Sequence, residues 1–240
     1  MRKSTLTLSS WLILAIFTLQ SSAVFAEDDA PANIRADIAS GELIFNEGKG
    51  DASACMGCHG MNALGNDDMG APRLANLGQV YIVKQLTNFA NNERTPEGMG
   101  AVMNGVGMAL SEQDRRDVAA YLDSLEYVYE SSDLKSLASS GNKIGKPEAG
   151  RQIVAKGIKG KVPACQDCHG FNGRAAHIPA INQQRYTYLV NQLNNFREGN
   201  RTNDPKVGKV GIMQGIAKKL TESNIADIAA FLSTATGVTP

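Results

Sequence analysis

The sequence predicts an all-α chain of two tandem homologous domains, each wrapped around a bulky group that is not an amino acid. Three observations lead there. The 240-residue chain repeats itself at an offset of about 110. Apolar residues recur at helical spacing, with no convincing period-2 alternation anywhere. Aromatic residues make up only 6% of the chain, so a hydrophobic core has few large rings to build on.

Composition sets the outer bounds. A chain with 42% hydrophobic and 20% charged residues is not disordered, collagenous or polytopic in a membrane. Lys+Arg and Asp+Glu are 24 each, which leaves no basic surplus for nucleic acid. Residues 1–26 read as a cleaved export signal. Arg2 and Lys3 precede an apolar stretch from Trp11 to Leu19, and Val24, Phe25 and Ala26 end it ahead of acidic Glu27. That stretch is shorter than the roughly 20 residues a bilayer span needs. The expected location of the mature chain is therefore outside the cytoplasm.

The repeat is detailed. The motif CMGCHG at 55–60 recurs as CQDCHG at 165–170, offset by 110. Pro72 recurs as Pro179 and Tyr81 as Tyr188, offset by 107. QLTNFANNERT from Gln85 recurs as QLNNFREGNRT from Gln192, and MNGVGMALSEQDRRDVAAYL from Met103 as MQGIAKKLTESNIADIAAFL from Met213. Insertions and deletions that leave the flanking matches intact belong in loops between fixed helices. The expected organisation is a first domain over 27–130, a linker rich in Ser, Gly and Lys over 131–146, and a second domain over 147–240. The first domain carries 17 acids and 7 bases, the second 6 acids and 12 bases, so the chain is an electric dipole.

Within each domain three helices are expected. An amphipathic segment at 38–47 is mirrored at 149–156. The segment 79–91 places Val80, Val83, Leu86 and Phe89 at helical spacing and is mirrored at 188–196. A last helix follows Ser111 in the first domain and Thr221 in the second, both in N-cap position. Long Gly-rich connections join them.

All four cysteines lie in two C-x-x-C-H motifs. Disulfides would give no role to a His directly after the second Cys, twice. A zinc knuckle would need a second ligand pair nearby, and the two motifs are 110 residues apart. A thioredoxin-like dithiol wants a βαβ setting. Covalent haem attachment accounts for every residue: Cys55 with Cys58, and Cys165 with Cys168, bond the two vinyl groups of a porphyrin, and His59 and His169 reach the iron. Two covalently bound haem c groups are expected.

The sixth ligand follows from counting. The third histidine, His177, has no counterpart in the first domain. Methionine is the natural alternative, a soft thioether that favours ferrous iron. The first domain has six candidates, but the second has only Met213, which aligns with Met103. Each lies 44 residues after its histidine. Met99 and Met108 align with Lys209 and Lys218. Pro72 and Pro179 are read as second-sphere groups whose carbonyls fix a ring proton of the proximal His. Tyr81, Tyr188, Arg94 and Arg201 recur as well, and read either as helix-packing groups and solvated charges or as contacts to haem propionates or the other domain.

Two c-type domains of this pattern, each with C-x-x-C-H-G, a following Pro, a Q-L-x-x-F helix and a Met, resemble the dihaem cytochrome c4 family across nearly the whole mature chain. The resemblance implies two class I cytochrome c domains about a pseudo-twofold axis, with haem propionate edges facing each other. It implies the same ligands, Cys55, Cys58, His59 and Met103, then Cys165, Cys168, His169 and Met213. It also implies a periplasmic electron carrier, sometimes membrane-associated, between a donor such as a cytochrome bc complex and a haem-copper terminal oxidase. The second domain departs from the first at Ala180, which stands where the first has Arg73.

The expected activity is outer-sphere electron transfer rather than catalysis, because both faces of each iron are capped. The alternatives are a cytochrome subunit of a periplasmic dehydrogenase, and a dihaem peroxidase, which would need a haem able to release its sixth ligand.

Overall fold

The computed structural model describes residues 35–126, 128, 130–170 and 177–234. The expected export signal, residues 1–26, lies outside them. Among the described residues no helix is long and apolar enough to cross a membrane.

The first half runs α1 (Ile38–Glu47), α2 (Met56–His59), α3 (Gln79–Ala90), a 3₁₀ turn (Gly98–Ala101), α4 (Val102–Ala109) and α5 (Glu112–Ser124). The short α6 (Leu134–Ser139) follows. The second half runs α7 (Pro147–Lys156), α8 (Gln166–His169), α9 (Tyr186–Glu198), β1 (Lys206–Val207), β2 (Val210–Gly211), α10 (Ile212–Ala217) and α11 (Glu222–Thr234). The repeat is therefore structural as well as sequential.

Local chemistry sets the helix ends. The Asp37 carboxylate accepts the Ala39 and Ser40 amides at 2.9 and 3.2 Å and starts α1. Ser111 and Asp114 form a reciprocal capping box at the start of α5. Thr221 and Asn224 do the same before α11, with both bonds at 3.1 Å. The two expected N-caps are in place.

In each half the first and last helices cross, α1 on α5 and α7 on α11. A glycine marks each crossing. A Cβ on Gly41 would lie 2.1 Å from the Asp117 carbonyl oxygen, and one on Gly150 would lie 1.9 Å from that of Asp227. The same two aspartates hold the chain just before the first helix: the Asp37 amide donates to Asp117 Oδ1 at 2.8 Å, and the Lys146 amide to Asp227 Oδ1 at 2.7 Å. Ile44, Phe45, Val118 and Leu122 are buried at the first crossing, and Ile153, Val154, Ile228 and Leu232 at the second.

Three features differ from the sequence expectation. The methionine segments are helical, as α4 and α10, where Gly-rich connections were expected. Gly105 and Gly107 lower the helix propensity of α4, but Gly107 lets it approach α3, since a Cβ there would sit 2.8 Å from the Ala90 amide nitrogen. The stretch 131–146 contains α6, capped by Asp133, and its Leu137 is buried in the second core. A small antiparallel hairpin, β1 with β2, turns at Gly208, which has φ +65°.

A candidate haem site in each half

Each cysteine motif folds as one helical turn. Cys55 N-caps α2, and the His59 amide donates to the Cys55 carbonyl at 3.0 Å. Cys165 and His169 repeat this on α8, also at 3.0 Å. A single turn puts residues three apart on one face, so each cysteine pair presents both sulfurs to the same side.

In the first half Cys55, Cys58, His59 and Met103 all line one cavity of about 470 Å³. That volume lies within the range typical of cofactor pockets. Leu74, Leu77, Ile82, Leu86, Val106 and Leu110 give it an apolar wall. It reaches the second half at Thr187, Tyr188, Asn191, Gln192 and Asn195. Met69 and Met99 also touch this cavity, and Met99 is 63% exposed. Met103, by contrast, packs against the first hydrophobic core.

The second set is placed by the matching elements. Cys165 packs against the second core, Cys168 is exposed, and Met213 lies on α10 as Met103 lies on α4. The 470 Å³ cavity reaches none of Cys165, Cys168, His169 and Met213. Residues 171–176, directly after the second motif, lie outside the described residues. The Met213 amide donates to Asp204 Oδ2 at 2.6 Å, a contact that the sequence alone did not reveal. His177 is exposed in a turn.

The histidines of the two motifs are held alike. His59 Nδ1 lies 2.9 Å from the Pro72 carbonyl oxygen, and His169 Nδ1 lies 2.8 Å from that of Pro179. A carbonyl only accepts, so in each case Nδ1 carries the proton and donates. Burial pushes both imidazoles below the usual histidine range, with the proline carbonyl opposing it. Both are therefore neutral at pH 7, and Nε2 keeps a lone pair for a metal. Burial also pushes the Cys55 and Cys165 thiols up to about 11.

The repeated arginines and tyrosines meet across the two halves. Arg94 donates to Gln85 Oε1 at 2.8 Å in its own half, and to Tyr188 Oη at 3.1 Å and Gln192 Oε1 at 2.9 Å in the other. Arg201 donates to Gln192 Oε1 at 2.7 Å, and across to Tyr81 Oη at 3.2 Å. Each guanidinium also sits over a phenylalanine of its own half, Arg94 4.6 Å from the Phe89 centroid and Arg201 4.5 Å from that of Phe196. The acceptors of these two buried cations are side-chain amide and phenol oxygens. Because Arg94 also lines the cavity, the site fits a bound group that is apolar over most of its area and anionic at one edge.

Comparison with known proteins agrees. The cytochrome c family model matches residues 38–126 and 147–236. The chain is 36% identical over 197 residues to cytochrome c4 of Stutzerimonas stutzeri, covering 77% of this chain and 86% of that protein. The crystal structure of reduced recombinant cytochrome c4 from Pseudomonas stutzeri superposes with a TM-score of 0.65 at 30% identity, over 83% of this chain and 98% of that one. Thiosulfate dehydrogenase (TsdBA) from Marichromatium purpuratum, in its as-isolated form, superposes with a TM-score of 0.70 at 26% identity over 83% of this chain, which spans 40% of that structure's chain. Two cytochrome c domains, each with one C-x-x-C-H motif, carry two covalently bound haem c groups. The repeat, the paired motifs and the relatives converge, and the chain belongs to the cytochrome c4 family of dihaem electron-transfer cytochromes.

Proposed function

We propose that the chain is a periplasmic carrier of single electrons. In this reading Cys55 and Cys58 would hold the first haem by thioether links, and His59 and Met103 would give its iron a nitrogen and a sulfur donor. Cys165, Cys168, His169 and Met213 do the same for the second. The observation that carries it is the convergence of Cys55, Cys58, His59 and Met103 on one apolar cavity, with His59 Nδ1 already engaged by Pro72.

Bound haem supplies a one-electron ferric–ferrous couple. The chain's own residues supply the rest. His59 and His169 stay neutral and oriented, with Nδ1 donated to a fixed carbonyl. The apolar wall excludes water. Arg94 and Arg201 offer buried positive charge to the carboxylate edges of the cofactors. With one histidine and one methionine assigned to each iron, the chain's own side chains would leave no open place there for peroxide or another substrate. That arrangement favours outer-sphere transfer over catalysis.

The partners fitting this role are redox proteins, with a quinol-oxidising cytochrome bc complex as donor and a haem-copper terminal oxidase as acceptor, and docking at a membrane surface is part of the same reading. A second reading has its own support. The likeness to thiosulfate dehydrogenase from Marichromatium purpuratum favours a periplasmic dehydrogenase as the source of electrons. An optical and redox titration of the protein from its native host tests the main proposal. Two haems with sulfur-ligated irons and no carbon monoxide binding are expected, and free thiols or ready carbon monoxide binding would refute it. Co-purification with a dehydrogenase subunit would decide for the second reading.

A further inference from the structure

The halves are related by the repeat, but one contact between them has no mirror image. Gln184, which is 4% exposed, sits between the second haem loop and α9. Its Oε1 accepts the Arg73 amide at 2.7 Å, and its Nε2 donates to the Arg73 carbonyl at 3.0 Å. Gln184 Oε1 also accepts the Arg185 amide at 2.9 Å, which fixes the carboxamide from its own side. Arg185 anchors the same first-half loop further along, where its Nε donates to the Leu64 carbonyl at 2.6 Å.

The Arg73 amide belongs to the same peptide unit as the Pro72 carbonyl, the one that accepts His59 Nδ1–H at 2.9 Å. The peptide group is planar, so fixing its N–H fixes the direction of its C=O. The three groups form one chain of hydrogen bonds, from His59 Nδ1–H to the Pro72 carbonyl, then from the Arg73 N–H to Gln184 Oε1. Bonds in such a chain polarise one another. An acceptor on the N–H makes the carbonyl a better acceptor, and a stronger bond at Nδ1 makes the imidazole a more basic ligand. At an offset of 107, the positions matching Gln184 and Arg185 are Leu77 and Gly78, whose side chains cannot hydrogen-bond. The first half therefore cannot return the contact through these side chains.

We infer that Gln184, a residue of the second half, is a positioning residue for His59, so that the second half sets the electronic character of the first haem's proximal ligand. The inference rests on His59 being that ligand. The test is a redox titration resolved by haem, run on the full dihaem protein and on two variants, together with the His59 Nδ1–H resonance of the reduced form. Gln184→Met removes the acceptor at similar size. It is expected to shift the first haem about threefold toward the ferrous state, which is ~28 mV since tenfold is ~59 mV for one electron. The His59 Nδ1–H resonance moves upfield, while the second haem holds its potential. Gln184→Glu replaces the carboxamide by a stronger acceptor and is expected to move the first haem the other way. This variant decides the matter if Gln184→Met does not assemble with both haems. Equal shifts of both haems, no shift of the first, or a rise in Gln184→Glu would overturn the inference. The ligand reading is checked separately in the unsubstituted protein: a first haem whose proximal ligand is not His59 removes the ground for both.

Discussion

Arg94 Nη2 of the first half donates to Tyr188 Oη of the second at 3.1 Å, and Arg201 Nη2 returns the contact to Tyr81 Oη at 3.2 Å. The repeat thus closes on itself through a reciprocal pair of cation–phenol bonds. The carboxamides of Gln85 and Gln192 join the two bonds. Gln192 Oε1 serves both arginines at 2.9 and 2.7 Å, and Gln85 Oε1 serves Arg94 at 2.8 Å. Burial would raise the Tyr188 phenol, but Arg94 and Arg201 hold it below the ordinary tyrosine range.

Removing one phenol oxygen leaves a buried guanidinium short of an acceptor. Tyr188→Phe and Tyr81→Phe are each expected to lower stability by about 1.5–3 kcal/mol, the net worth of a hydrogen bond to a charged group. The double variant should lose less than the sum, because the shared glutamines let the remaining bonds rearrange. Urea denaturation of the haem-loaded protein measures all three. Losses below about 0.5 kcal/mol would mean that these bonds are replaced by water.

The glycines at the helix crossings make a second prediction. Gly150→Ala drives a methyl to 1.9 Å from the Asp227 carbonyl oxygen, and Gly41→Ala one to 2.1 Å from that of Asp117. Each is expected to cost about 1–3 kcal/mol or more through overpacking. Gly105→Ala in α4 is the control. Its Cβ meets nothing within 4 Å, and a helix-interior alanine there should gain about 0.5–1 kcal/mol. Thermal melts of the three variants should fall on opposite sides of the unsubstituted protein.

Much of this arrangement was legible in the chain. The repeat set the two halves, and Ser111 and Thr221 announced their helices because an N-cap is a local interaction. The spacing of Val83, Leu86 and Phe89 announced α3 because burial of one face is periodic, whereas Val80 at its first turn is exposed. Pro72 and Pro179 were found by matching positions. What stayed hidden depends on contacts distant in sequence. Helix α4 carries two glycines, and packing against α3 outweighs their propensity. Leu137 reads as part of a linker until the second core is there to bury it. The approach of Gln184 to Arg73 spans 111 residues and breaks the repeat, so no motif signals it.

Met103 offers a direct test of the ligand assignment. Met103→Ala is expected to remove sulfur ligation from the first iron alone, leaving Met213 as the internal standard for the second. Carbon monoxide should then bind one haem of the two. The first midpoint should fall by on the order of 100 mV, within the ~0.8 V span over which axial ligands set haem potentials. Met99→Ala, at an exposed position on the same cavity, should change neither the spectrum nor carbon monoxide binding. If the two substitutions exchanged their effects, the repeat-based choice of Met103 would be wrong.

The charge asymmetry bears on which haem accepts the electron. Residues 27–130 carry a net charge of −10 and residues 147–240 one of +6. Negative charge around an iron favours the ferric state, so the first haem is expected at the lower potential. Arg94 and Arg201 sit in the contact between the halves, and the surface charges are expected to add to the effect of Gln184 on the first haem. Exposed charges are screened over about 30 Å at 0.01 M salt but only about 3 Å at 1 M. The gap between the two midpoints should therefore narrow as salt rises. A gap unchanged between those two concentrations would assign it to groups shielded from solvent such as buried Gln184 and half-buried Asp204, and a higher first haem at low salt would reverse the electrostatic argument altogether.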